Sequence, residues 1–387
     1  MALKVVLIIV FVFQFMLHIT RPLITLYGTN LGASTFEIGI LTATYAFFPL
    51  LFAVRAGKIT DKIGDRLPIL FGMIAASIGL VFPYLFPSLW SIYLSQIIVG
   101  MAHIFIIISL QNVLGNAATK ENRDHYFGLF SMVVAIAQFC GPVIGGYLAE
   151  YTSYRTAFFV SGIVGIIAII AAIWVPVIIR TKATTIESSN TSTFSMLRIP
   201  ILRKALVGSA LVLYSRDIFI AYFPLYALQI GVSDSQIGWI IALQALAMVP
   251  IRFFLGQLSI LIGRARLLLF SILVAGICYG FIPFTTNVYL LAGFAILMGA
   301  GLGCGQPLSM TTIYNASPSG KTGEVLGLRL ATNRISQLTA PILFGVIGSG
   351  LGLLSVFLMS GAFLVGGAFY THTKDESTIV NDAQESG

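Results

Sequence analysis

The chain has 387 residues, 57% of them hydrophobic and only 9% charged, with a formal net charge of +8. Soluble domains carry roughly 25% charged residues, so this composition excludes a water-soluble globular protein. Apolar stretches near twenty residues recur along the whole chain, the length that crosses a hydrocarbon core of roughly 30 Å.

Taken in order, the pattern predicts twelve transmembrane helices, over residues 4–27, 36–55, 67–86, 89–113, 125–149, 154–178, 204–229, 235–255, 267–285, 287–312, 324–348 and 352–371. Barrel strands are excluded because the segments are too long and continuous. The first segment is too long for a signal-peptide core and lacks a small-residue cleavage site, so it is expected to remain as a helix. The polar stretch 180–203, rich in Ser and Thr, predicts a linker between an N-terminal bundle (1–179) and a C-terminal bundle (204–373). Residues 374–387 read as a disordered tail.

An even number of spans puts both termini on one side of the membrane. Lys58, Lys62, Arg66, Lys120, Arg123, Arg180, Lys182, Arg198, Arg203, Lys204, Arg264, Arg266 and Lys321 fall on that side, with Arg155 as the exception. The positive-inside rule then predicts cytoplasmic termini on a multi-pass protein of the cell membrane. This bias accounts for the net charge without a nucleic-acid partner. Cys140, Cys278 and Cys304 all fall inside spans and lack metal-ligand spacing, so they read as small buried side chains, with no metal site.

The two halves match at one displacement. Gly39 maps to Gly238 (238 − 39 = 199), and the same shift takes Gly57 to Gly256, Gly64 to Gly263, Gly100 to Gly299, Gln138 to Gln337, Pro142 to Pro341 and Gly146 to Gly345. These identities fall on Gly, Pro and Gln rather than on common aliphatics. They predict two pseudo-symmetric six-helix bundles.

Between the second and third spans runs Gly57-Lys-Ile-Thr-Asp61-Lys62-Ile-Gly64-Asp65-Arg66. This charged turn resembles the loop motif G-x-x-x-D-[RK]-x-G-R-[RK] of the major facilitator superfamily, departing only at Asp65, where the family has Arg. The resemblance implies the twelve-helix fold of that superfamily and secondary transport with no cofactor by a monomer. It also implies a gating role for Asp61, whose carboxylate would dock on the start of the eleventh helix near Arg329; a helix N-terminus attracts such a charge. The plainer alternative is a solvated turn acid. In the second half Ile260 stands at the position of Asp61, so the two gates are expected to differ.

In the fifth span, Gly141-Pro142-Val-Ile-Gly145-Gly146 is similar to the antiporter motif of the drug-export branches, G-x-x-x-G-P-x-x-G-G, with Ala137 at its first glycine. Close packing by small residues is the competing explanation.

Polar residues line faces of otherwise apolar helices. Gln14, His18, Arg21 and Thr25 recur at one helical face, as do Gln96, Gly100, His103 and Gln111. Arg216 and Asp217 lie in the seventh span; Arg329, Asn333, Arg334 and Gln337 lie in the eleventh. An intramembrane charge costs on the order of 3 kcal/mol or more and rarely faces lipid. Gln14, His18, Arg21, His103, Gln138, Arg216, Asp217 and Gln337 are therefore the candidate cavity residues for solute and protons; structural pairing inside the bundle is the alternative. Asp217 is the expected proton carrier, with His18 or His103 in reserve. Gln96 stands where the family commonly has a fourth-helix Arg, which puts its usual proton route in doubt. The run Gly299-Ala-Gly301-Leu-Gly303 lacks the Lys-Ser/Thr of a phosphate loop, so no ATPase is expected.

The expected function is a secondary transporter that moves a small organic solute by alternating access, as proton-coupled efflux. The alternative is an uptake carrier or uniporter for an organic anion. A membrane enzyme fits poorly, because no catalytic constellation is present in the motifs. Arginines and histidines outnumber the one deep acid, which favours neutral or anionic solutes.

Overall fold

The computed structural model describes residues 2–117, 123–176, 198–316 and 322–371. The predicted tail and most of the predicted linker, residues 180–197, lie outside these residues. Thirteen helices occupy them: α1 (Ala2–Asn30), α2 (Thr35–Ile63), α3 (Arg66–Leu85), α4 (Leu89–Ala117), α5 (Arg123–Tyr151), α6 (Tyr154–Ala172), α7 (Pro200–Gln229), α8 (Asp234–Phe253), α9 (Leu255–Ile262), α10 (Arg264–Phe281), α11 (Val288–Ala316), α12 (Thr322–Leu351) and α13 (Leu353–Thr371). No strand occurs among the described residues. Each of the twelve expected spans coincides with one long helix, with ends differing by up to eight residues (63 − 55 at α2); α9, of eight residues, is additional. Eleven of the helices are long and apolar enough to cross a membrane. Besides the short α9, the exception is α12, which carries Arg329, Asn333, Arg334 and Gln337.

Several boundaries differ from expectation. The charged motif is not a free turn: α2 continues through Lys62 to Ile63, and the chain leaves the helix only at Gly64 and Asp65. A helix needs no break at Gly57 when its neighbours are good helix formers, whereas Gly64 takes φ 83°, a value glycine adopts at little cost. The matching second-half segment is likewise helical, as α9, and ends at Gly263 with φ 87°. α8 bends at Phe254 shortly after Pro250, whose ring removes a helix hydrogen bond. α6 stops at Ala172 rather than 178, ahead of Pro176, which disfavours helix at the residue before it. α7 begins early because Pro200 suits a first helical turn.

The repeat reappears in the local geometry. Gly32 and Gly231, also 199 apart, take φ 87° and 80°. Each is followed by a reciprocal cap. Ser34 and Glu37 bond to each other's backbone N–H at the start of α2, and Ser233 and Gln236 do the same at the start of α8.

The chain packs as two compact units. The first comprises Met1–Glu187, Ile220–Ala242 and Pro341–Gly350; the second comprises Ser188–Phe219, Leu243–Ala340 and Leu351–Gly387. In the first, α1 packs on α5 and α6, α3 on α4 and α6, and α2 on α4. A Cβ on Gly100 would lie 2.5 Å from the Tyr45 carbonyl. In the second, α10 packs on α11 and α13, and Leu202, Ala205 and Leu206 of α7 form a small core with Leu328 of α12. There Gly299 abuts the Gln244 carbonyl, the same contact 199 residues on.

Candidate functional site

In the first unit the polar face of α1 points inward. Gln14 and His18 are 9% and 5% exposed, Thr25 is fully buried and Arg21 is half-buried. The Arg21 guanidinium sits over the Tyr45 ring, 5.7 Å from its centroid, an attractive cation–π placement. The same Tyr45 ring lies 5.7 Å from His103, which Phe13 approaches from α1 at 5.6 Å. Tyr45 thus stands between the two candidate ionisable groups. The sequence reading missed it, although it maps onto Gln244 by the 199-residue shift. Gln138 is half-buried on α5.

A second polar group lies in the second unit. Gln337 of α12 donates from Nε2 to the Asp217 carboxylate at 2.8 Å, and its Oε1 accepts from Arg334 at 2.9 Å. The amide thereby bridges the Arg334 guanidinium and the Asp217 carboxylate. One turn earlier Asn333 accepts from Ser209 Oγ at 3.1 Å. Ser209 Oγ also accepts from Arg329 Nε at 3.1 Å, and the Arg329 guanidinium donates to the Gln306 side chain. Gln138 and Gln337 share one further property. Each lies four residues before a proline, Pro142 or Pro341, so its carbonyl loses the usual helix donor. Arg216 is half-buried on α7 beside Asp217 in sequence.

The antiporter-like run on α5 makes two crossings within the first unit. A Cβ on Gly141 would lie 2.5 Å from the His18 Cβ, and one on Gly145 would strike the Ile19 carbonyl, so α1 lies directly on this face. A Cβ on Gly146 would lie 2.5 Å from the Asp234 carbonyl at the start of α8, and Gly238 of α8 lies against the Pro142 carbonyl. The repeat-related pair is also in this unit: Gly39 of α2 against the Pro341 carbonyl, where the Tyr222 hydroxyl also donates at 2.5 Å. Polar bonds reinforce the α5–α8 crossing. Glu150 accepts from the Ser235 N–H at 2.8 Å, Asp234 accepts from the Tyr154 hydroxyl at 3.2 Å, and Trp239 donates to the Tyr147 hydroxyl at 3.3 Å. The glycines therefore pack closely, as the plainer alternative held, and they do so against helices that carry candidate site residues.

At the charged motif, Lys62 is exposed, while Gly64 and Arg66 are half-buried. Asp65, the departure from the family pattern, is 1% exposed and accepts from the Asn112 amide at 3.3 Å. Burial pushes its carboxyl above the usual range, with the Asn112 bond opposing. Gly57 lies within α2; the side chain of Asp61, and so the expected docking of its carboxylate, lies outside the described residues. A cavity of about 420 Å³ between α3 and α4 is lined by Phe71, Ile98, Met101 and Phe105 among other apolar residues and offers a polar solute no hydrogen bond.

Comparison with known proteins agrees with this arrangement. The family model described as Major Facilitator Superfamily matches residues 6–226 and 205–386. An uncharacterized MFS-type transporter of Methanocaldococcus jannaschii is 21% identical over 351 residues, covering 89% of this chain and 90% of that protein. The class B tetracycline resistance protein of Escherichia coli is 22% identical over 327 residues, covering 80% and 79%. Among solved structures, a nucleoside transporter, NupG, superimposes with a TM-score of 0.81 at 12% identity, over 96% of this chain and 99% of that one, a likeness of fold. With twelve long helices in two pseudo-symmetric six-helix bundles, a matching family model over nearly its full length and relatives that span most of it, the chain belongs to the Major Facilitator Superfamily of membrane transporters.

Proposed function

We propose that the protein is a secondary active transporter that exports a small organic solute by alternating access, driven by protons and working as a monomer. Bundles 1–179 and 204–373 would move about the linker 180–203, with both termini in the cytoplasm of a cell-membrane protein. The double crossing on α5 carries this reading. One run of small residues holds the backbone of His18 and Ile19 on α1 and the start of α8 at once. Parting α8 from α5 must therefore be felt at the helix bearing His18 and Arg21, which is the coupling alternating access requires. Gly39 against Pro341 provides a symmetry-related contact for the same opening.

The likeness to a tetracycline resistance protein supports export. In this reading Gln14, His18, Arg21, His103, Gln138, Arg216, Asp217 and Gln337 line the solute and proton path, and Asp217 carries the proton. Gly57, Asp61, Lys62, Gly64, Arg66 and Arg329 form the cytoplasmic gate. The uptake or uniport of an organic anion is the second reading; the excess of arginine over acid within the spans favours it.

Everted membrane vesicles with an internal pH-sensitive dye test the proposal. Adding a transported solute to energised vesicles should release protons from the lumen. Proton-independent flux would leave the transporter but remove the antiport, and solute-driven proton flow in the same direction as the solute would favour uptake.

A further inference from the structure

Two arginines of the second unit converge on one face of α11. Arg252, at the end of α8, donates from Nε to the Gly303 carbonyl at 3.3 Å. Arg329, on the second turn of α12, donates to the Gln306 side chain and to Ser209 Oγ. Gly303 and Gln306 are three residues apart, so the two anchors are neighbours on the helix surface, separated by about 4.5 Å along its axis. Gly303 lets this happen: a Cβ there would lie 3.0 Å from the Cα of Met248, so α8 approaches closely enough for Arg252 to reach α11. The anchors are themselves fixed. Gln306 Nε2 donates to the Ser209 carbonyl at 2.8 Å, and Ser209 Oγ donates to Asn333 at 3.1 Å.

Every one of these partners is neutral. A guanidinium has five N–H donors. On the described residues Arg252 uses one and Arg329 two, and neither makes an ion pair. Arg329 is half-buried, whereas Arg252, at the end of α8, is exposed apart from its bond to α11; both lie in helices where charge is costly. Asp217 lies apart from them: it accepts from Gln337, eight residues beyond Arg329 and about 12 Å further along α12. Two held guanidinium groups with spare donors and no acid form the arrangement that recognises a planar or tetrahedral oxyanion by paired charge-assisted bonds.

We propose that Arg252 and Arg329, oriented by Gly303, Ser209 and Gln306, form an anion-binding site, and that the transported solute bears a carboxylate or phosphate group that docks there. This rests on the transport reading above and assigns its solute class.

Thermal unfolding of the purified full chain in neutral detergent tests it, with phthalate and phenyl phosphate as anionic probes, benzamide as the neutral one and benzylamine as the cation. The two anions should raise the unfolding temperature, and benzamide and benzylamine should not. Arg252→Gln and Arg329→Gln should each weaken the apparent anion affinity by about tenfold or more, whereas Arg329→Lys, which keeps the charge, should lose less. If a Gln variant fails to fold, the wild-type contrast between anions and neutral probe still decides. Absence of stabilisation by either anion, or equal stabilisation in the double variant, would overturn the proposal. So would stabilisation only by phosphatidylglycerol in lipid nanodiscs, which would make the site a lipid-headgroup contact. Proton-linked flux of neutral or cationic solutes without anion binding would remove this inference and leave the transport reading. Arginine-dependent anion binding with no flux of any solute would leave the site and remove the transport reading.

Discussion

Gly238 lies against the main-chain carbonyl of Pro142, so that a Cβ there would come well within 3.0 Å of its oxygen. Its repeat mate Gly39 meets Pro341 in the same way. The proline explains why this carbonyl-to-glycine crossing recurs. A proline interrupts the helix hydrogen-bond ladder, and a glycine opposite leaves room for the backbones to touch.

Gly238→Ala should therefore hold α8 away from α5. The added methyl has no flexible side chain to displace, only backbone, so the helices themselves must separate. Transport should fall severalfold with expression retained. A reporter cysteine in place of Ser233 should label faster with a membrane-impermeant maleimide than in the parent carrying Gly238. Gly39→Ala should act in the same direction at α2 and α12. Unchanged labelling in both variants would show that this crossing does not govern access.

Glu150→Gln tests the polar reinforcement of the same crossing. The carboxylate accepts from Ser235 at the start of α8, where it opposes the partial positive charge of the helix terminus. At an exposed helix start this is worth about 0.5 kcal/mol, so the amide should shift the labelling equilibrium roughly twofold toward the open form. The effect should shrink at high salt. A larger loss that is independent of salt would point to packing instead of charge.

Asp217→Asn should separate proton coupling from solute movement. Asn keeps an oxygen that can accept from Gln337 while removing the ionisable group. Proton-driven transport should be lost, and solute exchange without a gradient should survive. Gln337→Leu should lower both, because it breaks the link from Asp217 to Arg334. Full proton movement in Asp217→Asn would place the coupling at another residue.

Asp65 supplies a pH prediction. Its folded-state carboxyl is pushed up by burial, so its stability contribution is complete below the ordinary carboxylate range and is lost as pH rises through the raised value. Asp65→Asn should consequently raise the unfolding temperature at neutral pH, since the amide is buried without a charge and still accepts from Asn112. The gain should shrink as pH falls through the raised value, where the native carboxyl takes up its proton. A constant difference across that pH range would mean that charge is not what Asp65 costs the fold.

The twelve helices and the repeat were legible in the residues alone. Helix length and hydropathy suffice when every span must satisfy its own backbone in lipid. The 199-residue shift could be read because glycine and proline mark backbone geometry, and the same shift returned as paired φ values at Gly32 and Gly231. Helical spacing also put Gln14, His18 and Arg21 on one face, since a helix fixes that relation locally. Which residues meet across helices came from the folded chain. Tyr45 between Arg21 and His103, Gln337 between Asp217 and Arg334, and Arg252 beside Arg329 on α11 join positions far apart in the chain. Arg252 sat in plain view inside the expected span 235–255, yet nothing in its local pattern reports that α8 crosses α11 at a glycine. Helical periodicity records a residue's face but not its neighbour, because packing partners are chosen by the shape of two surfaces and not by either stretch of sequence alone.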